Sequence, residues 1–382
     1  MKKESERIVY FAGSIWGERL KGIIQNESVS YAIHKYNHNL VRVIGSKYKI
    51  RVISPVQYNG HIPDSEISNG IEYKYMKYHG KLGRIKILMQ AIRNGCFIKN
   101  GMIIADSLNV LLALGISLFK RGRKNKLVLT VTDIPQDVLA HKKTIYSELF
   151  LYVLRRADGF IFLTEQTNRD YNLRNKPYII MEGIANGGKC GGNIRNKTSV
   201  YAGGLKKEYY IAEMVDAYDA VAKDDECLLI FGDGDCDVKE YIKKMACGSK
   251  HIQYLGTIPN EEILKFEKMA ELLINPRPNI GDYTKYSFPS KLIEYMCSGT
   301  PALVNRLDGV PDEYYDKLIL FSGINREDYK ESIRSALDMS AEERERAGEE
   351  ARTFIMERNG DKNSLMKIEK LIEEISSKEV GV

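Results

Sequence analysis

Long apolar runs are missing from this 382-residue sequence. The longest, residues 108–119, is too short to cross a bilayer. The amino-terminal stretch offers no substitute, because residues 1–7 are charged and only residues 8–12 follow as an apolar run, too short for a secretory signal. Cysteine is scarce: six residues (96, 190, 227, 236, 247 and 297), with no Cys-x-x-Cys pair. That argues against a zinc site and for reduced thiols in a cytoplasmic protein. Repeats, heptads and low-complexity tracts are also lacking. What is present is ordinary globular composition, 43% hydrophobic and 28% charged. The length suits two domains of about 150–200 residues.

Charge is unevenly spread. Residues 1–184 carry 29 Lys and Arg against 15 Asp and Glu, and residues 185–382 carry 28 against 36, so a half at +14 precedes a half at −8. A half this basic fits an anionic partner such as a membrane surface or a phosphorylated acceptor, and it equally fits a lysine-rich solvated surface. The cations cluster at Lys81, Arg84 and Lys86, at Lys120, Arg121, Arg123, Lys124 and Lys126, and at Lys142 and Lys143. Anionic lipid attracts such clusters by about 1 kcal/mol per cation near the surface, so reversible peripheral binding to the inner face of a membrane is expected. Aromatics interleave with cations only loosely over residues 73–86, and nucleic acid is not expected as a partner.

Short apolar strand patterns alternate with helical ones in both halves. Residues 8–11, 50–54, 102–105, 127–132, 159–163 and 178–181 read as strands of the first half, with a weaker one near 71–75. Such runs between helices indicate a parallel sheet covered on both faces, a doubly wound α/β domain. The pattern breaks in a glycine-rich segment and restarts with strands at 200–202, 228–231, 252–255 and 272–275. The expected organisation is a Rossmann-like domain over 1–184, a linker over 185–198, a second Rossmann-like domain over 199–355 and closing helices over 356–382.

The densest local signal is Tyr286-Ser287-Phe288-Pro289-Ser290-Lys291-Leu292-Ile293-Glu294-Tyr295-Met296-Cys297-Ser298-Gly299-Thr300-Pro301. Ser287 suits an N-cap, Pro289 the first helical turn and Gly299 the left-handed residue that ends a helix. Such a helix start favours a phosphate. Lys291 would add a cation, and Glu294, leaning back toward the helix start, could take both hydroxyls of a ribose. An ordinary capped helix fits the same residues. Glycine turns follow the strands at Gly203-Gly204, at Gly232 and Gly234, and at Gly256-Thr257-Ile258, and Asn275-Pro276-Arg277-Pro278 follows a fourth. Open parallel sheets bind ligands outside these carboxyl ends, which together favour a nucleotide.

In this order the motifs resemble the nucleotide-binding half of retaining GT-B glycosyltransferases, with family 4 of bacterial polysaccharide assembly the nearest group in pattern. The resemblance is specific over residues 199–321 and architectural over 1–184. It implies two Rossmann-like domains facing a central cleft, with the closing helix crossing back to the first. It implies a nucleotide-sugar donor, UDP-linked in many members, and retaining transfer to a lipid-linked or growing glycan. Neither a cofactor nor a metal is implied, since Asp233-x-Asp235 lies in a glycine turn of the nucleotide domain. Glu294 matches the ribose-holding acid of the Glu-x7-Glu element. Ser287 and Phe288 match the loop whose amides meet the donor. Lys291 and Arg277 are the matching cations for the diphosphate, Gly256, Thr257 and Ile258 the turn for the base, and Gly203, Gly204, Gly232 and Gly234 the pocket lining. Tyr286 stands where the first acid belongs, with Asp282 nearby as a substitute. Tyr210 stands where many members have glycine.

In the first half, Asp133 follows a buried strand and is expected at its carboxyl end, binding an acceptor hydroxyl or stabilising charge at the anomeric carbon. A turn-capping role fits it too. Gly13, Ser14 and Gly22 lie in a polar loop that could approach the diphosphate. Two rival functions remain, a UDP-sugar 2-epimerase of the same fold and a non-enzymatic binder of membrane or nucleic acid.

Overall fold

The computed structural model describes residues 3–13, 15–24, 31–57, 60–80, 83–118, 124–186 and 196–377. Ser14, much of the linker, Lys81 and the cluster at Lys120, Arg121 and Arg123 lie outside them. The chain divides into two compact units, Met1–Ile184 with Asp361–Val382, and Ala185–Gly360.

The first unit runs β1 (Lys3–Phe11), α1 (Glu18–Ile24), α2 (Tyr31–Lys47), β2 (Tyr48–Gln57), β3 (Ser65–Ser68), β4 (Ile71–Tyr78), α3 (Gly83–Cys96), β5 (Met102–Asp106), α4 (Val110–Ser117), β6 (Lys126–Val131), α5 (Gln136–Leu139), α6 (Ile145–Arg156), β7 (Gly159–Phe162), α7 (Glu165–Tyr171) and β8 (Tyr178–Ile180). Its sheet has the order β3-β4-β2-β1-β5-β6-β7-β8. Every pairing described is parallel except β3 with β4. The central strands are buried on both faces, as covering helices require: all five residues of β5 are buried.

Two elements depart from the sequence reading. β3 is a four-residue edge strand joined to β4 through Asn69 and Gly70, both at positive φ, as a tight hairpin turn demands. α1 forms where a polar loop is expected, because Glu66 of β3 satisfies its first turn: the Arg19 and Leu20 amides donate to the Glu66 carboxylate. An internal anion thus occupies the positive end of α1.

The second unit runs β9 (Asn196–Ala202), α8 (Ile211–Val221), β10 (Cys227–Phe231), α9 (Cys236–Gly248), β11 (Ile252–Gly256), α10 (Asn260–Met269), β12 (Ala270–Asn275), α11 (Ser290–Ser298), β13 (Ala302–Val304), α12 (Asp312–Tyr315), β14 (Ile319–Leu320), α13 (Arg326–Leu337) and α14 (Ala341–Asn359). Its parallel sheet has the order β11-β10-β9-β12-β13-β14. Capping boxes at Asn325 and Ser340 start α13 and α14. Gly348 lets α14 press against the end of α11, since a Cβ there would lie 2.0 Å from the Gly299 carbonyl oxygen.

The last helix, α15 (Asp361–Ser377), belongs to the first unit. Its Ile368, Leu371, Ile372 and Ile375 complete the core that also contains Ile8, Tyr10 and Leu40. Arg42 donates to both oxygens of Asp361, at 2.5 and 2.7 Å, and so fixes the first turn of α15.

Candidate active site

The strand-end turns of the second unit are knitted to one another. A Cβ on Gly232, whose φ is 138°, would lie 1.8 Å from the Gly203 carbonyl oxygen, and one on Gly234 would lie 2.3 Å from that of Leu205. These glycines are therefore required by the close approach of the turn after β10 to the turn after β9. The Gly203 amide donates to Phe231 and the Gly232 amide to Gly256, while the Tyr201 hydroxyl donates to the Gly204 carbonyl. Gly256 has φ 67° with open space where a side chain would sit. Beyond it Thr257 is exposed and Ile258 half-buried. Asp233 pairs with Lys239 at 2.6 Å, and Asp235 accepts from the Lys207 amide. Tyr210, at φ 57°, does hold the left-handed conformation that favours glycine.

α11 begins two residues later than expected, and Ser287 does not cap it. Pro289 is the N-cap, and no side chain caps the helix. The Ser287 hydroxyl instead accepts from the Arg277 guanidinium at 3.2 Å. Arg277 lies between two rings, 5.1 Å from the centroid of Tyr209 and 5.0 Å from that of Tyr283. Its Nε is buried with no hydrogen-bond partner among the described residues. Together with Pro289, Leu292, Asn305 and Tyr315 it lines a small recess at the carboxyl ends of β12 and β13. The Phe288 ring turns into the core against Tyr314, which leaves its backbone as the part able to meet a ligand. Tyr286 is half-buried. Asp282 is exposed and paired with Lys285 at 2.9 Å, which pulls its carboxyl below the usual range.

Glu294 is buried one turn inside α11. Lys291 contacts it directly and also reaches Glu267 of α10 at 3.3 Å. Burial alone would discharge Lys291, but the two carboxylates outweigh it and hold the ammonium above its ordinary value. Lys291 is thus committed to carboxylates, which makes it a support for Glu294. The Ala202 amide donates to the Tyr295 hydroxyl at 3.1 Å, which ties α11 to the turn after β9.

In the first unit, Asp133 is exposed just beyond β6. α5 starts at Pro135 without a side-chain cap, so Asp133 is not its cap. Asp106, buried at the end of β5, lies close enough for the Asp133 charge to act on it. Burial pushes the Asp106 carboxyl up to about 6, with the Leu108 amide opposing and Asp133 adding to the rise. The expected diphosphate loop is tied up internally. The amides of Ile15 and Gly17 donate to Ser54 and Tyr75, and a Cβ on Gly13 would meet Asn109 at 2.8 Å. Gly22 sits on the exposed face of α1, in a helix and not in a loop.

Residues 192–354, nearly the whole second unit, match the sequence model of the family described as Glycosyl transferases group 1. This segment is a glycosyltransferase domain. No curated protein matches the chain. Several solved structures match its fold. One is sucrose-phosphate synthase from Thermosynechococcus elongatus, 12% identical over 98% of this chain and 100% of that one, with TM-score 0.71. Another is α,α-trehalose 6-phosphate synthase from Burkholderia multivorans, 12% identical over 98% of each chain, with TM-score 0.69. A third, from E. coli, is described as trehalose-6-phosphate bound with UDP-2-fluoro glucose; it is 12% identical over 97% of this chain and 99% of that one, with TM-score 0.68. The two parallel-sheet units are a GT-B fold.

Three residues of the glycosyltransferase domain carry no local sequence signal. Glu267 lies in an unremarkable acidic helix. Tyr209 and Tyr283 reach Arg277 only through the fold. Gly309 had a signal available as a glycine after an aspartate: its Cβ would lie 2.4 Å from the Ser287 carbonyl oxygen, so it seats the loop that precedes α11.

Proposed function

We propose that the chain transfers a glycosyl group, with retention, from a UDP-sugar to a lipid-linked or growing glycan of a cell-surface polysaccharide. The anomeric carbon–oxygen bond to the diphosphate breaks, the acceptor oxygen bonds that carbon, and its proton leaves with the departing diphosphate. The single observation that carries this reading is the buried Glu294 carboxylate one turn inside α11, a helix that no side chain caps. Glu294 would take the ribose hydroxyls, and the helix start and Arg277 would receive the diphosphate as its charge develops. Asp133 and Asp106 are the carboxylates through which the first unit would meet the acceptor. The UDP donor is supported by the E. coli neighbour, which is described with a UDP sugar.

The membrane part of the reading rests on the first unit. On α3, Ile85 and Met89 are 56% and 65% exposed beside Arg84, Lys86 and Arg93, and Phe97 just beyond is 78% exposed. Arg84 lies near the Tyr146 hydroxyl of α6, next to Ile145, Lys142 and Lys143, all exposed. Apolar side chains ringed by cations suit an anionic lipid surface. Among the described residues no helix is long and apolar enough to cross a membrane. The names of the neighbours favour a second acceptor, a sugar phosphate.

The test is calorimetric titration of UDP and UDP-glucose, followed by transfer assays with membrane extracts and with hexose 6-phosphates and by NMR of the product anomer. No binding of either nucleotide ends the reading. Turnover with hexose phosphate alone selects the second acceptor, and consumption of donor without acceptor selects an epimerase. Charge reversal at Arg84, Lys86, Lys142 and Lys143 is expected to abolish sedimentation with anionic vesicles at low salt and to leave nucleotide affinity unchanged.

A further inference from the structure

Glu267 is 0% exposed, yet it carries a carboxyl group. One oxygen lies 3.3 Å from the Lys291 ammonium, while Oε2 is buried with no hydrogen-bond partner among the described residues. Its carboxyl is within hydrogen-bonding reach of the Glu294 carboxyl. The Thr300 hydroxyl donates to the Glu267 carbonyl at 2.7 Å and anchors the backbone at this point of α10. Two carboxylates around one ammonium, out of water, leave an excess negative charge that burial disfavours strongly. One proton resolves both problems. It makes the trio neutral, and it gives the Glu267 carboxyl a donor within reach of the neighbouring carboxylate.

We propose that Glu267 is a positioning residue that carries a proton, donates it in a hydrogen bond to Glu294, and thereby holds the Glu294 carboxylate and the Lys291 ammonium in place for the ribose of a nucleotide sugar. The proposal rests on the nucleotide-sugar reading of the same helix. From α11 the group is faced by Lys291, Glu294 and the Tyr295 hydroxyl. β9 and β12 also pack on α10, but their charged residues Lys197 and Glu271 engage Asp225 and Arg344. Burial raises the Glu267 carboxyl to about 8, with Lys291 opposing and Glu294 adding to the rise. Loss of the proton above that pH places a second negative charge beside Glu294 and draws Lys291 toward Glu267. Donor affinity is then expected to fall.

The experiment titrates UDP-glucose into wild type, Glu267→Gln and Glu267→Leu between about pH 6.5 and 9, with ligand-free melting in the same buffers. Wild type is expected to lose about tenfold in affinity across that range, in a single-proton step. Glu267→Gln, whose amide donates without titrating, is expected to keep the low-pH affinity throughout. Glu267→Leu is expected to bind weakly at every pH. Wild-type melting is expected to fall up to about pH 8 and then level relative to Glu267→Gln. A wild-type affinity independent of pH, or a Glu267→Gln variant that keeps the wild-type slope, overturns the proposal. If wild type binds no UDP-glucose at any pH while the melting curves still separate, the nucleotide reading fails and the positioning role falls with it, although the buried proton stands.

Discussion

At the scale of single residues, the charged trio on α10 and α11 is the part of the second unit proposed to hold the ribose. Glu294→Ala removes the proposed ribose acceptor and leaves Lys291 with Glu267. We expect a folded protein whose affinity for UDP-glucose falls by about 1.5–3 kcal/mol, measured by calorimetry. Glu294→Gln keeps the hydrogen-bonding shape and is expected to lose less. In the first unit, Asp106 makes a prediction of opposite character. Its carboxyl sits at about 6, above the ordinary value of 3.8, so the folded state holds the proton longer than the unfolded chain. Stability contributed there is full below the unfolded value and is lost as pH rises from about 4 to about 6. Asp106→Asn keeps the oxygen that accepts from the Leu108 amide. It is therefore expected to stabilise the protein at pH 7 by about 1–3 kcal/mol and to flatten the dependence, read by urea unfolding at several pH values.

At the scale of elements, loops and helix ends are positioned by contacts that leave little room. Gly232→Ala would place a methyl group against the Gly203 carbonyl at a backbone angle that L side chains avoid. The turn after β10 would have to move, and a loss of about 2 kcal/mol or more in stability is expected, with nucleotide binding weakened in parallel. α15 gives a cleaner packing test. Ile372 is buried among residues of the first unit's core, so Ile372→Ala is expected to cost about 2–5 kcal/mol by chemical unfolding, through lost burial and a cavity. The helix lies at the far end of the sequence from most of the core it completes. Ending the chain after Gly360 is expected to expose β1 and β2 to rapid hydrogen exchange.

At the scale of the whole molecule, each unit is a doubly wound sheet, and the two halves differ in charge, +14 against −8. The basic first half carries the exposed α3 and α6 surface, and the acidic second half carries the group 1 glycosyltransferase domain. Raising salt to about 0.5 M is expected to remove vesicle binding, since exposed charges are screened within a few ångströms. Nucleotide binding at the buried Glu294 should change far less, a contrast that sedimentation and calorimetry on one preparation can measure.

The sequence by itself determined the α/β class, most strands and helices, the order of strand-end turns and the place of α11. All of these rest on short-range signals: apolar period, strand-ending glycines, and a glycine such as Gly299, whose φ of 74° ends its helix as expected. It was silent where the partner is distant. Ser287 reads locally as a cap, but Arg277, ten residues away, takes its hydroxyl. The loop of Gly13, Ser14 and Gly22 reads as able to approach a diphosphate, but Gly22 lies in α1, whose start Glu66, 47 residues from Arg19, already fills. Lys291 reads as a phosphate cation, but Glu267, 24 residues away, shares it with Glu294. Only the tertiary structure decided these pairings, because the charge state and direction of a buried side chain depend on which groups the fold brings within a few ångströms and not on its neighbours along the chain.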